Sequence, residues 1–86
     1  MKIIDYTKED ELTNVGVYLT TEEATWLRNE LNDLLGDPEA MSHFHIHGLQ
    51  GNSSELSCSI ITKQKLKELH KFNQVEQRIL SSKKKH

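Results

Sequence analysis

The chain is short, at 86 residues with a net charge of −2, so it can bury one modest core and lacks the overall basic charge typical of nucleic-acid-binding proteins. Hydrophobic residues make up 35%, and no stretch approaches the roughly 20 apolar residues of a membrane helix, which argues against a disordered chain and against a membrane span. The single cysteine, Cys58, cannot form an internal disulfide, and Asp5 lies too early for a signal peptide. We therefore expect a protein of the reducing cytoplasm.

Two β-prone runs open the chain. The first runs from Lys2 to Tyr6, and the second runs from Val15 to Leu19, where alternate residues are apolar and would share one face of a strand. An acidic link, residues 8–14, joins them. The pattern predicts two antiparallel strands.

A helix from Thr21 to Leu35 is the clearest signal. Thr20 and Glu23 have the spacing of a capping box, in which each side chain bonds the other residue's backbone N–H. The apolar positions predict the buried stripe: Ala24, Leu27, Leu31, Leu34 and Leu35. The charged positions predict a solvated face: Glu22, Glu23, Arg28, Glu30 and Asp33. Gly36 in a left-handed conformation and then Pro38 would end the helix.

Two further alternating runs, Met41 to His47 and Glu55 to Thr62, flank a link with two glycines and predict a β-hairpin. Phe44 and Ile46 would share one side. The three histidines of the first run would lie on the other side: His43, His45 and His47. In the second run, the apolar side would include Cys58, which we interpret as a buried thiol.

A helical stripe follows Lys63, made of Leu66, Leu69, Phe72, Val75, Ile79 and Leu80. The whole pattern predicts an α+β fold of order ββαββα, an antiparallel sheet with two helices packed on one face. Residues 1–80 would form a single domain, and residues 81–86 a flexible basic tail.

The run His43 to His47 has three interpretations. A His-x-His pair can bind zinc, but three histidines span roughly 13 Å along a strand, so all three cannot reach one ion. Alternation with apolar residues also resembles the histidine triad hydrolases and transferases, which implies His45 as the nucleophile. The chain lacks that family's preceding phosphate loop. The third interpretation, a solvated or partner-facing strand face, is favoured.

Charge is distributed unevenly along the chain. Residues 1–39 carry ten acidic against three basic side chains, and the remainder carries eight basic against three acidic ones. The acidic residues Glu22, Glu23 and Glu30, with Trp26 as an interface anchor or a residue at the core edge, offer a surface to a basic partner. The basic C-terminal segment has no aromatic platform and no recognition-helix signature, so nucleic-acid binding is not expected.

The element order also resembles the small immunity proteins of bacterial polymorphic-toxin systems, in particular the immunity protein 32 family. The resemblance covers residues 15–62. It includes the run from Leu19 to Ala24, the leucines up to Leu35, the histidine strand and a return strand ending at Ile60 and Ile61. It implies an α+β module that blocks a cognate toxin and has no activity of its own.

The sequence therefore favours a non-catalytic protein-binding module, immunity-protein-like or an inhibitor of a partner protein. No catalytic motif or cofactor loop is present in the sequence, so we expect neither an enzyme nor a cofactor. The alternative is a metal-binding or histidine-based phosphohydrolase at His43, His45 and His47. The binding residues predicted are His43, His45, His47, Trp26, Glu22, Glu23 and Glu30. The expected partner is another protein, and a basic one would complement the acidic surface. So small a domain is also expected to form a homodimer.

Overall fold

The computed structural model describes residues 1–48 and 54–82 and confirms the α+β class. The elements in chain order are β1 (Ile3–Asp5), β2 (Asp10–Leu12), α1 (Thr21–Leu35), β3 (His43–His47), β4 (Glu55–Ser59), α2 (Lys63–Leu66), a 3₁₀ turn (Leu69–Lys71) and α3 (Gln74–Ser81). The link predicted between the last two strands falls largely on residues 49–53, outside the described residues.

The described strands form two separate antiparallel pairs, β1 with β2 and β3 with β4, rather than one sheet. The predicted strand from Val15 to Leu19 is not a strand; β1 pairs instead with Asp10–Leu12. The reason is an early chain reversal. Asp5 Oδ1 accepts the backbone N–H groups of Thr7 and Lys8 at 3.0 and 3.1 Å, and Glu9 takes a left-handed φ of 55°.

The chain divides into two compact units. The central unit is Val17–Thr62; the terminal unit combines Met1–Gly16 with the chain from Lys63 onward, as far as it is described. The single domain of residues 1–80 stays a prediction. Of the predicted tail, Ser81 ends α3 and Ser82 follows as its cap, whereas residues 83–86 lie outside the described residues.

In the central unit, α1 lies against β3 and the predicted capping box is confirmed. Thr20 Oγ1 accepts the Glu23 N–H at 3.1 Å, and the Thr20 N–H donates to Glu23 Oε1 at 2.8 Å. Glu23 is 8% exposed, which corrects its placement on the solvated face. The predicted stripe is also wrong at Ala24 and Leu35, which are exposed. These two residues are eleven positions apart, so they point the same way, about 100° from Glu23 around the helix.

The end of α1 differs from the prediction at Gly36, which has right-handed angles (φ −67°, ψ −24°). Its N–H donates to the carbonyls of Asn32 and Asp33, both at 3.2 Å, and the Asp37 N–H donates to the Leu34 carbonyl at 3.1 Å. The last turn therefore tightens without a left-handed residue, and Pro38 is the residue that prevents continuation.

In the terminal unit, the predicted C-terminal helix is broken into α2, the 3₁₀ turn and α3. Asn73 starts a new helix, because its Oδ1 accepts the Glu76 N–H at 2.8 Å while its own N–H donates to Glu76 Oε1 at 3.1 Å. Ile79 is buried as predicted, at 3% exposed. In α2 the stripe is out of phase, because Lys65 is buried and Leu66 is exposed.

Candidate binding surface

The β3–β4 hairpin separates its side chains onto two faces. Phe44 and Ile46 are buried, and the register pairs them with Cys58 and Leu56 on the side toward the core. The register pairs each histidine of β3 with a polar residue of β4: His43 with Ser59, His45 with Ser57, and His47 with Glu55. We call these six residues the histidine face; its three histidines are exposed.

Glu55 brings two of these histidines together. Its Oε2 lies 2.5 Å from Nδ1 of His45, and its Oε1 lies 3.8 Å from Nδ1 of His47. A carboxylate that accepts the N–H at Nδ1 fixes the ring orientation and leaves Nε2 as the nitrogen available to a ligand. The arrangement therefore holds His45 in one orientation, with Nε2 as its second hydrogen-bonding atom.

Ring contacts extend this order along the strand. The rings of His43 and His45 meet edge to face, with centroids 4.9 Å apart and planes at 86°. Trp26 of α1 lies 6.4 Å from the His47 ring, centroid to centroid. Trp26 is half-buried, so it lies at the edge of the core and also beside the histidine face. The rings therefore form two pairs, His43 with His45 and His47 with Trp26.

The three predicted acidic residues of α1 are not equivalent. Glu22 is exposed, as predicted. Glu23 is buried and its carboxylate serves the capping box, while Glu30 is half-buried. The physical reason is the rotation of the helix described above, which turns positions 23 and 30 toward the core. Glu22 is the one of the three that is fully exposed.

The described residues contain no group of three or more His, Cys, Asp or Glu side chains placed to hold a metal ion. Cys58 lies on the opposite side of the hairpin from the histidine face, and it is half-buried rather than buried. Burial raises the pKa of its thiol, which lowers the thiolate fraction at neutral pH. The thiol and the imidazoles therefore do not form a nucleophile–base pair.

The basic C-terminal segment does not present all its charges to solvent. Lys65 is buried. Lys71 Nζ lies 2.8 Å from a carboxylate oxygen of Glu68, and its hydrogen bond holds the pKa of that carboxyl below its usual range. The Arg78 guanidinium donates to the backbone carbonyl of Glu9. Of the eight basic residues counted in this half of the sequence, two therefore bond within the terminal unit and a third is buried.

Two features of the structure have signals in the sequence that lie outside the alternation and helical spacing described above. Glu55 is the first residue of its strand and lies directly opposite His47, the last residue of β3; aligning the two strands across the link would have paired them. The spacing of Asn73 and Glu76 is that of a second capping box. The rotation of α1 has no comparable signal, because leucines lie on both sides of the true buried face.

Comparison of the chain with protein-family models, with curated proteins and with solved structures gives no match. The resemblance to immunity proteins therefore stays a prediction. Within the part of the chain that the structure describes, every helix is too short or too polar to cross a bilayer.

Proposed function

We propose that this chain is a non-catalytic protein-binding module that contacts its partner through the histidine face. The observation that carries the proposal is the division of the β3–β4 hairpin into a side buried by Phe44 and Ile46 and a side that leaves three imidazoles exposed. Because the exposed rings do not fill the core, core packing does not account for their fixed orientation, and a contact at the surface does. Rings that carry hydrogen-bonding groups suit an interface that is partly apolar and partly wet.

Burial favours the histidine face over the predicted glutamates of α1 as the contact surface. Glu23 is occupied by the helix cap and Glu30 is half-buried, so Glu22 is the one of the three predicted glutamates that is fully exposed. The histidine face offers three imidazoles and a carboxylate on neighbouring strands. Trp26 extends it, since it lies next to the His47 ring.

The chemistry of this surface fits a partner with arginine side chains. A guanidinium can stack on an imidazole or indole ring and can donate to a carboxylate such as Glu55. Residues 1–39 also carry a net charge of −7, which would steer a basic protein toward the chain. As the resemblance implies, the role proposed is inhibition of that partner, with the chain covering its active surface.

Site-specific photocrosslinking in the cells that produce the protein tests this proposal. A photoreactive amino acid at position 43 should capture a partner, and the same residue at Asp33, an exposed position of α1, should not. With the partner purified, replacing all three histidines by serine should weaken binding at least tenfold, since truncating even one hot-spot residue at the centre of an interface costs about 2 kcal/mol or more. Glu22→Gln is the matched control and should bind as the unaltered chain does. Capture from Asp33 alone, or unchanged affinity of the triple variant, would refute the proposal.

A second candidate rests on the His45–Glu55 contact of 2.5 Å. A carboxylate at Nδ1 orients an imidazole for attack or base catalysis at Nε2, so a histidine-based phosphohydrolase would use His45 as nucleophile and Glu55 as its orienting group. Phosphate or AMP release from nucleotides should then be lost in His45→Ala, reduced in Glu55→Gln and retained in His47→Ala. Release no faster than buffer would remove this candidate.

A further inference from the structure

The run from Val15 to Leu19 has the composition of a strand but has no strand partner among the described residues. Its apolar side chains are exposed: Val17 is 55% exposed and Tyr18 98% exposed. An exposed apolar run with strand-like alternation and no strand partner is a template for pairing with another strand.

This run also joins the two compact units, whose boundary lies between Gly16 and Val17. On its N-terminal side is the β1–β2 hairpin, which belongs to the terminal unit together with the C-terminal helices. The terminal unit is thus built from two chain segments that are far apart in sequence. Such a unit can be assembled from one chain or from two.

The hydrogen bonds that join the hairpin to the C-terminal helices are exposed or only partly buried. Lys2 Nζ donates to the carbonyl and hydroxyl oxygens of Ser82 at 3.2 and 3.0 Å, and the Tyr6 hydroxyl donates to Glu76 at 2.7 Å. The Arg78 guanidinium donates to the Glu9 carbonyl. Surface contacts of this kind are individually weak, so the hairpin can detach and re-form the same contacts on another copy.

The run is complementary to itself. In an antiparallel pair centred on Val17, each Val15 lies opposite Leu19 and each Gly16 lies opposite Tyr18. Residues 15, 17 and 19 then form one apolar face on the two-stranded ladder. A two-fold axis through Val17 is the symmetry expected of a homodimer.

We propose that two copies of the chain exchange their N-terminal hairpins, Met1–Gly16, and pair their 15–19 runs as an antiparallel ladder. The hairpin of each copy then contacts α3 of the other through the Lys2, Tyr6 and Glu9 contacts. Because those contacts are the same in monomer and dimer, the ladder favours the dimer, and the loss of independent motion of two chains opposes it. Dimer formation is therefore concentration-dependent, and it is limited by detachment of the hairpin.

Crosslinking between isotopically distinct chains tests the exchange. Light and heavy chains carrying p-benzoylphenylalanine in place of the half-exposed Tyr6 are unfolded together, refolded and irradiated. In the dimer fraction, the tryptic peptide 72–78, which contains Glu76, should be joined to the hairpin of the other isotope in about half of the products, because equal pools pair at random. Products that join only chains of the same isotope would overturn the exchange, as would a chain that stays monomeric at its highest soluble concentration.

Disulfide trapping tests the ladder in a Cys58→Ser background. Two Val17→Cys residues would lie directly opposite each other, about 4.5 to 5.5 Å apart at Cα, within disulfide range. Tyr18→Cys is the matched control, since its copies would be about 7 to 8 Å apart and diagonal. A covalent dimer from position 17 but not from position 18 supports the ladder. Equal trapping at both positions, or none at either, contradicts it.

Discussion

The hairpin β3–β4 buries Phe44 and Ile46 at 7% and 3% exposure, whereas every residue of the β1–β2 strands is half-buried or exposed. The β3–β4 hairpin is thus held by apolar side chains removed from water, whereas the strands of the β1–β2 hairpin contain no buried residue and are joined to the C-terminal helices by hydrogen bonds. Apolar burial is nondirectional and strong per residue, while an exposed polar contact adds little net free energy. The two hairpins should therefore differ in how readily they detach.

This difference matches the roles proposed for them. A hairpin anchored from one side can hold exposed imidazole rings in place on its other side, which is what a binding surface needs. A hairpin attached by weak polar contacts can leave its own chain and join another. The same short chain thus combines a fixed surface with an exchangeable segment.

Removing an anchor of the fixed hairpin should have the largest effect. Ile46→Ala should lower the free energy of unfolding by about 2 to 4 kcal/mol, since it leaves a cavity in the core of the central unit. The matched change in the other hairpin, Ile4→Ala, should cost about 1 kcal/mol, because Ile4 is only half-buried. Urea unfolding followed by circular dichroism measures both. Equal losses would show that the two hairpins are anchored equally well by apolar side chains.

Helix caps offer a second comparison between the units. Thr20→Ala removes the cap of α1 and leaves the buried Glu23 N–H without its acceptor, so it should cost about 1 to 2 kcal/mol. Asn73→Ala removes the more exposed cap of α3 and should cost about 0.5 to 1 kcal/mol. The same urea titrations compare the two variants, and Thr25→Ala, on the exposed side of α1, serves as a control. A larger loss at Asn73 would show that the terminal unit limits stability.

Local signals in the sequence located most elements of this fold. Thr20 with Glu23 fixed the start of α1, and the alternation from His43 to His47 gave both the strand and its two faces. Interactions between residues a few positions apart determine such features, so a short stretch of sequence is enough to predict them.

The features that the sequence did not reveal depend on the rotation of α1 about its axis and on which strands pair. The valines of residues 15–19 satisfy a strand pattern, but the early turn at Asp5 gives β1 a nearer partner and leaves this run unpaired. Glu23 and Glu30 have the composition of a solvated face and are turned inward by packing of α1 on β3. In the candidate site, the three histidines were predicted, but the contacts of His45 and His47 with Glu55 depend on the strand register.

The Tyr6 contact in the exchangeable hairpin should show as a pH dependence. Partial burial and the Glu76 carboxylate raise the pKa of Tyr6 to about 12, above the ordinary value of 10 in the unfolded chain. The folded state therefore holds this proton more tightly, and the stabilisation, present below pH 10, is lost as the pH rises through about 12. Because Tyr6 is half-exposed, solvent screening limits the effect to about 1 kcal/mol.

Two phenylalanine variants separate this effect from general alkaline unfolding. In Tyr6→Phe the part of the alkaline fall in stability that comes from the Tyr6 hydroxyl should be absent. In Tyr18→Phe, where the ring is fully solvated, the same fall should remain. Thermal unfolding midpoints at intervals between pH 9 and 12 provide the measurement. A Tyr6→Phe profile that coincides with that of Tyr18→Phe would show that the Tyr6–Glu76 contact does not hold the hairpin in solution.

The smallest effect is expected at Glu9, the residue with a left-handed φ of 55° between β1 and β2. Glycine adopts this conformation without the steric cost that a Cβ imposes, and Glu9→Gly keeps the backbone carbonyl that accepts from Arg78. Glycine also raises the chain entropy of the unfolded state, which offsets part of this relief. We therefore expect the free energy of unfolding to rise by about 0.5 kcal/mol. Lys8→Gly, one residue earlier and without a positive φ, should instead lose about 0.5 to 1 kcal/mol. If Glu9→Gly also destabilises the chain, Glu9 does not hold its left-handed conformation in solution. The hairpin is then held less tightly than its polar contacts indicate.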